Sequence, residues 1–263
     1  MISNIAESKF QGVRKDCLPT VAKPAGTARP MSYIFLNTGI DMSAAHAEFA
    51  TPLNLFQFPK GENNDERIGQ YMYLKKSHLK ISVVCNPIIA AESASDLAVN
   101  SPIDCRLMIV KANRKVSKLN FSPDPGNSLF IDTQNSGFGF DETAGSINLL
   151  MQQPINKRQW LVYADRKFTL APATVEVVST ATRSEYYAPT RHNHKYQMHI
   201  DLPMYKKTHF EDTTNTPDDQ DTQWLIILQC VRQAHCYTPA TGGNLRPENI
   251  VMEVLGTTSA LDN

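Results

Sequence analysis

Apolar and polar positions along the chain alternate far more often than they recur at helical spacing, and alternation predicts strands. In Ile103 to Val110 the residues Ile103, Cys105, Leu107 and Ile109 are apolar, while Asp104 and Arg106 point the other way. Tyr196, Met198, Ile200 and Leu202 repeat that signature against Lys195, Gln197, His199 and Asp201. Both strands should bury one face only. Trp224 to Val231 and Asn249 to Leu255 are apolar on both parities, which suits strands covered on two sides or lying at a subunit contact. Arg67 to Asn86 is longer than an ordinary strand and changes phase. Tyr71 to Leu74 lead into Lys75 and Lys76, after which Leu79, Ile81 and Val83 alternate cleanly. A bulge or bend near Lys75 to Ser77 accounts for the shift.

Further strands are expected at Ser32 to Leu36, Leu53 to Phe58, Gln159 to Tyr163, Lys167 to Leu170 and Met204 to Phe210. Helical spacing occurs only in Ser43 to Phe49 and in Ala144 to Gln152. The second sets Ile147, Leu150 and Met151 at i, i+3 and i+4 behind the capping candidates Asp141 and Thr143. Long connections separate the strands: Pro87 to Pro102, Asn113 to Thr143, Ala171 to Asn193 and Glu211 to Thr222. Connections of that length usually mark function or interaction. The expected fold is all-β, and because Asn-Gly and Asp-Gly hairpin turns are absent a double-sheet jelly roll fits better than an up-and-down barrel with tight hairpins. It is an eight-stranded antiparallel jelly roll, a two-sheet sandwich with long loops and one or two short loop helices. Residues 1–30 hold Pro19, Pro24, Pro30, Gly12 and Gly26 without a sustained apolar period. They read as a flexible, mildly basic N-terminal arm ahead of one domain at 31–263.

Composition narrows the function. The 263 residues carry 26 Lys and Arg against 26 Asp and Glu, so the chain is not a strongly basic nucleic-acid binder overall. Five scattered cysteines, Cys17, Cys85, Cys105, Cys230 and Cys236, read as reduced thiols rather than a disulfide framework. Met1 to Phe10 has no apolar signal-like run, and the longest strongly apolar stretch, Trp224 to Leu228, is far below a membrane span. Neither secretion nor membrane insertion is expected.

Candidate chemistry is sparse. His192, His194 and His199 have a cupin-like spacing, yet on a regular strand His199 faces away from the other two, so loop and surface histidines are the favoured reading. Glu211, Asp212, Asp218, Asp219 and Asp221 lack the order of a calcium loop and read as a solvated acidic loop. Cys230 and Cys236 lack the second pair a zinc site needs. No phosphate loop, nucleophile elbow or triad can be assembled, so no catalytic residue, metal or cofactor is expected and the chain reads as a non-enzyme. What remains is basic. Lys9, Arg14, Lys15, Lys23 and Arg29 face only Glu7 and Asp16 on the arm, and cations on a mobile arm suit sequence-independent phosphate neutralisation. They are the candidate nucleic-acid-binding residues. Lys75, Lys76 and Lys80, and Arg114, Lys115 and Lys118, form smaller clusters in the folded region.

The order of segments is itself informative. Arg67-Ile68-Gly69 leads into a strand ending at Asn86, then comes Cys105 to Lys111, then a long loop with a short helix. Lys157 to Leu170 places a basic residue and an aromatic before an apolar strand, an Asp and a basic residue. Tyr196 to Phe210 is followed by the apolar run Trp224 to Cys230. This succession, over about residues 60 to 255, resembles the capsid proteins of small circular single-stranded DNA viruses that encode a Rep protein, the circovirus-like group. The resemblance implies a viral structural protein of the virion: a jelly-roll subunit of a small icosahedral shell, sixty copies in the simplest case, around a single-stranded genome. It implies DNA, although the same roll around RNA would show the same pattern, and it implies assembly in the host nucleus or cytoplasm. Members of the group commonly begin with a dense arginine-rich arm. Here the arm has few excess charges, so either other cations share the neutralisation, or folded-region Lys and Arg add to it, or the DNA packaging that the resemblance implies does not carry over to this chain. The alternative reading is a monomeric or small-oligomer jelly-roll binding module, lectin-like, with a discrete concave site.

Overall fold

The computed structural model describes residues 7–17, 31–37, 53, 55–86, 102–113, 129–131, 151–171, 176–180, 183–187, 193–212, 215, 217, 224–233 and 250–262. Its strands are β1 (Glu7–Cys17), β2 (Met31–Asn37), β3 (Tyr71–Cys85), β4 (Ile103–Ala112), β5 (Trp160–Leu170), β6 (Glu176–Thr180), β7 (Arg183–Tyr187), β8 (Lys195–His209), β9 (Trp224–Arg232) and β10 (Ile250–Asp262). Eight of them build two antiparallel four-stranded sheets, ordered β1-β10-β3-β8 and β2-β9-β4-β5, and β6 and β7 form a separate hairpin. The first two strands fall in opposite sheets, as do β3 and β4, and β8 and β9. That wiring is the double Greek key of a jelly roll.

The expected alternation decides which side chains meet. From the first sheet Leu79, Ile81, Val83, Met252 and Val254 point inward, and from the second Ile103, Cys105, Leu107, Ile226 and Leu228 meet them in one continuous core. At the open end of the sandwich, Phe168 of β5 stacks on Tyr196 of β8 with ring centroids 3.8 Å apart and planes 8° from parallel. The phase change in β3 is a pairing irregularity between Leu74 and Lys76, so Met72 and Leu74 share the inward face with Leu79 despite the odd spacing.

The central strands of the second sheet, β4 and β9, are buried on both faces. Leu225, Ile227 and Val231 of β9, and Met108 and Val110 of β4, are shielded from solvent on the side away from the core. Two described segments of the chain contribute to that cover. Phe130 and Ile155 form a β-bridge, and Arg106, on the outward parity of β4, donates to the carbonyls of Met151 and Gln153.

Several expectations are corrected. Glu7–Cys17 is not a flexible arm but a full edge strand, paired with β10 over its whole length. The polar sequence hides it because only Val13 and Cys17 on its inward parity are apolar. The backbone ladder holds it, and the turn at Asn63 and Asn64 covers its free edge, Phe10 N–H donating to the Asn64 carbonyl at 3.0 Å. The separate strands expected at Gln159 to Tyr163 and Lys167 to Leu170 are one strand, β5, and the segment Met204 to Phe210 continues β8. Leu53, Leu55, Phe56 and Phe58 are buried but not in a strand. The connection Ala171 to Asn193 contains the β6–β7 hairpin. Of the two expected helices, Met151 and Gln152 are helical; the remainder of that segment and Ser43 to Phe49 lie outside the described residues.

Candidate nucleic-acid interface

The two sheets differ in what their outer faces offer. The second is covered over its central strands β4 and β9, whereas the outer face of β1-β10-β3-β8 presents polar and aromatic side chains to solvent. Strand register arranges these in rows. Arg14, Leu255, Lys80 and His199 stand side by side across the four strands, all exposed. The next rows are Gly12, Thr257, His78 and Asp201, then Phe10, Ser259, Lys76 and Pro203, then Ser8, Leu261, Tyr73 and Lys207. Cations therefore recur along the face, from Lys195 through Lys80 and Lys76 to Lys207, with Arg14 on the far strand. The outward carboxylates are Asp16, Glu253 and Asp201.

Local contacts fix parts of this surface. Lys76 Nζ donates to Asp201 Oδ2 at 2.9 Å, and His78 Nδ1 lies 2.6 Å from Asp201 Oδ1. These hydrogen bonds, first from His78 and then from Lys76, hold the Asp201 carboxyl below the ordinary range, while the partnership with Asp201 raises Lys76. His199 approaches His78 edge to face at 6.1 Å. At the other end, Lys207 Nζ sits 4.7 Å above the Tyr71 ring, and Tyr71 packs against His209 at 4.8 Å. Among the described residues Tyr205 is the most exposed of the large apolar side chains at 62%, on a backbone with φ 44°, in the left-handed region that bulky residues avoid. It occupies the β8 side of the irregularity opposite Lys75.

A flat four-stranded face carrying spaced lysines and exposed rings is suited to a single-stranded polyanion. Lysines neutralise phosphates without reading sequence, and every base can stack on an exposed aromatic face.

The five sequence-predicted residues do not converge on one site. Arg14 lies on this face, 69% exposed at its side chain and 3.5 Å from Asp16. Lys9 is buried on the opposite parity, its Nζ donating to the Asn63 carbonyl at 2.9 Å and paired with Glu7 at 3.0 Å, so it is a structural cation. Lys15 also has the inward parity and is half-buried. Lys23 and Arg29 lie outside the described residues. Lys76 and Lys80, grouped in sequence as a minor folded-region cluster, are on the face, while Lys207, Tyr71 and Tyr205 were missed. The signal was present for Lys195, His199 and Asp201, which are the polar parity of a strand whose apolar parity was read correctly.

The other candidates resolve by geometry. His194 and His199 are exposed, with His199 turned outward, and His192 is outside the described residues. Asp212 accepts from Lys60 Nζ and Gln70 Nε2, both at 2.9 Å, and Lys60 first, then Gln70, keeps its carboxyl below the ordinary range. Asp218, Asp219 and Asp221 are outside the described residues. Cys17, Cys85, Cys105 and Cys230 are buried thiols outside any disulfide.

Among solved structures the chain is similar to the crystal structure of a 60-mer BFDV capsid protein, at 9% identity and a TM-score of 0.28, over 97% of this chain and 93% of that one. No family model and no curated protein sequence matches the chain. The two backbones match loosely at that score, so the functional reading rests on this chain's own wiring and surface.

Proposed function

We propose that this chain is a structural protein, the jelly-roll subunit of a small closed viral shell, and that its β1-β10-β3-β8 face contacts the single-stranded genome. The observation that carries the reading is the contrast between the two sheets: the central strands β4 and β9 of one are buried on both sides, while the other offers a broad open face of lysines and exposed rings. Apolar side chains at other exposed points suit contacts between copies. Leu161 and Tyr163 on the edge strand β5 are 45% and 43% exposed, and Ile68 is 58% exposed. Single-stranded DNA is the favoured genome on the order of segments along the chain. The exposed Arg14 adds to the face, whereas Lys9 is committed to the fold.

The test is the nucleic acid that purifies with assembled particles. Absorbance at 260 and 280 nm is read on the particle peak for the native protein and for the triple variant Lys76→Ala, Lys80→Ala, Lys207→Ala. The expected outcome is particles of native size with markedly less nucleic acid in the variant. Equal content in both proteins would refute the sheet face as the contact.

A further inference from the structure

On the opposite side of the molecule from this face lies a cleft of about 600 Å³ between the segment Gln152 to Lys157 and strand β5. Its base is rigid. Arg106 Nη1 donates to the Gln153 carbonyl at 2.8 Å, while Nε and Nη2 grip both oxygens of Asp165 at 2.8 and 2.7 Å. The Ile131 N–H donates to the Pro154 carbonyl, and the Asn156 N–H to that of Leu129, fixing the backbone on either side of Ile155. The backbone of Gln153 is thus held in place, and its side chain is 4% exposed in the lining of the cleft, yet neither its amide oxygen nor its amide nitrogen has a hydrogen-bond partner.

A buried amide with both an unpaired donor and an unpaired acceptor is costly in an ordinary core and calls for a ligand. The missing partner must present an adjacent acceptor and donor in one plane. The edges of nucleobases do so, and a glutamine pairs with them bidentately. Trp160, Leu161 and Val162 supply apolar wall for a flat ring, and the exposed Lys157 and Lys167 place two cations at the same cleft. We infer that this cleft is a nucleotide site, in which Gln153 pairs with a base edge and Lys157 and Lys167 hold the phosphate. Because the amide can turn over, the site accepts any base with adjacent donor and acceptor. The inference builds on the reading of a nucleic-acid-contacting subunit but concerns the other sheet, so the two can fail separately.

The test uses the full-length protein with three probes: 5′-dAMP, deoxyadenosine and inorganic phosphate. In the native protein, the Gln153 side-chain amide resonances are expected to shift saturably with 5′-dAMP and with deoxyadenosine, and not with phosphate. Gln153→Leu should weaken 5′-dAMP binding by about tenfold while raising the thermal midpoint, because it removes two unpaired polar atoms. Lys157→Ala with Lys167→Ala should weaken 5′-dAMP several-fold and leave deoxyadenosine unchanged. Unmoved Gln153 resonances would overturn the inference. So would native affinity in Gln153→Leu, or a loss of stability in that variant with unchanged binding. The sheet-face triple variant should bind 5′-dAMP as the native protein does, whatever its nucleic-acid content.

Discussion

Arg106 of β4 and Asp165 of β5 form a two-pronged pair across adjacent strands, Nε to Oδ1 at 2.8 Å and Nη2 to Oδ2 at 2.7 Å, with the Arg106 side chain only 2% exposed. The guanidinium also lies 5.4 Å from the centre of the Phe130 ring, and Nη1 bonds the carbonyls of Met151 and Gln153. One side chain therefore fastens the covering segments to the second sheet. Its fork geometry is what a lysine lacks.

Asp165→Ala leaves that guanidinium buried without its anion and should cost about 3 kcal/mol of unfolding free energy, measured by urea denaturation. Arg106→Lys should lose a comparable amount, since a single ammonium cannot reach both oxygens and both carbonyls. A cost near zero for both would mean the covering segments are held by other contacts.

Arg67 is a second buried hub. Nε donates to the Phe58 carbonyl at 3.2 Å, Nη1 to Gly69 at 2.7 Å and Nη2 to Glu211 at 2.8 Å, with the Phe210 ring 5.2 Å below. It joins the entry to β3, the exit from β8 and the buried Phe56 to Phe58 segment. Arg67→Leu strands three carbonyls and should destabilise by about 3 kcal/mol. Thermal unfolding of the purified variant reads this directly.

How much of this was legible in the sequence depends on whether side chains or backbone held each element. The core strands β3, β4, β8 and β9 showed in their alternation, and even the Lys75 bulge showed as a change of phase. Strand β1 did not, because its inward positions include Lys9, Gln11 and Lys15, and its pairing is carried by backbone groups and by partners far along the chain. The cationic face was half legible. The outward parity of a strand can be read from its inward one, but which strands are neighbours cannot, so the row of Arg14, Lys80 and His199 had no signature. Gln153 had none either, since an unpaired amide is a property of the packed cleft.

Tyr205 should be separable into strain and contact. Its left-handed backbone costs on the order of 1 kcal/mol, which glycine would relieve. Tyr205→Gly is expected to keep or slightly raise thermal stability while weakening the affinity for a labelled single-stranded oligonucleotide by about fivefold, the scale of one lost stacking contact. Unchanged affinity would remove Tyr205 from the interface.

The core thiols set an alkaline limit. Burial first, then the hydrogen bond with Cys230, pushes the Cys105 thiol well above its ordinary value of 9.0. The folded state therefore keeps a proton that the unfolded chain releases. The associated stability is complete below about pH 9 and declines as pH rises toward the folded value. Thermal midpoints should fall between pH 9 and 11, and Cys105→Ala should flatten that fall. Ellman's reagent at pH 8 should find Cys85, Cys105 and Cys230 silent until the protein unfolds; prompt reaction would contradict their burial.

The proposal of a shell-forming subunit is tested most directly by the mass of the purified protein, by light scattering or sedimentation across salt and pH. A closed shell predicts a discrete megadalton species, about 1.8 MDa for sixty copies of a 29.4 kDa chain, dissociating to small oligomers under weakening conditions. A monomer or small oligomer that persists under all assembly conditions would contradict it and favour a lone binding module.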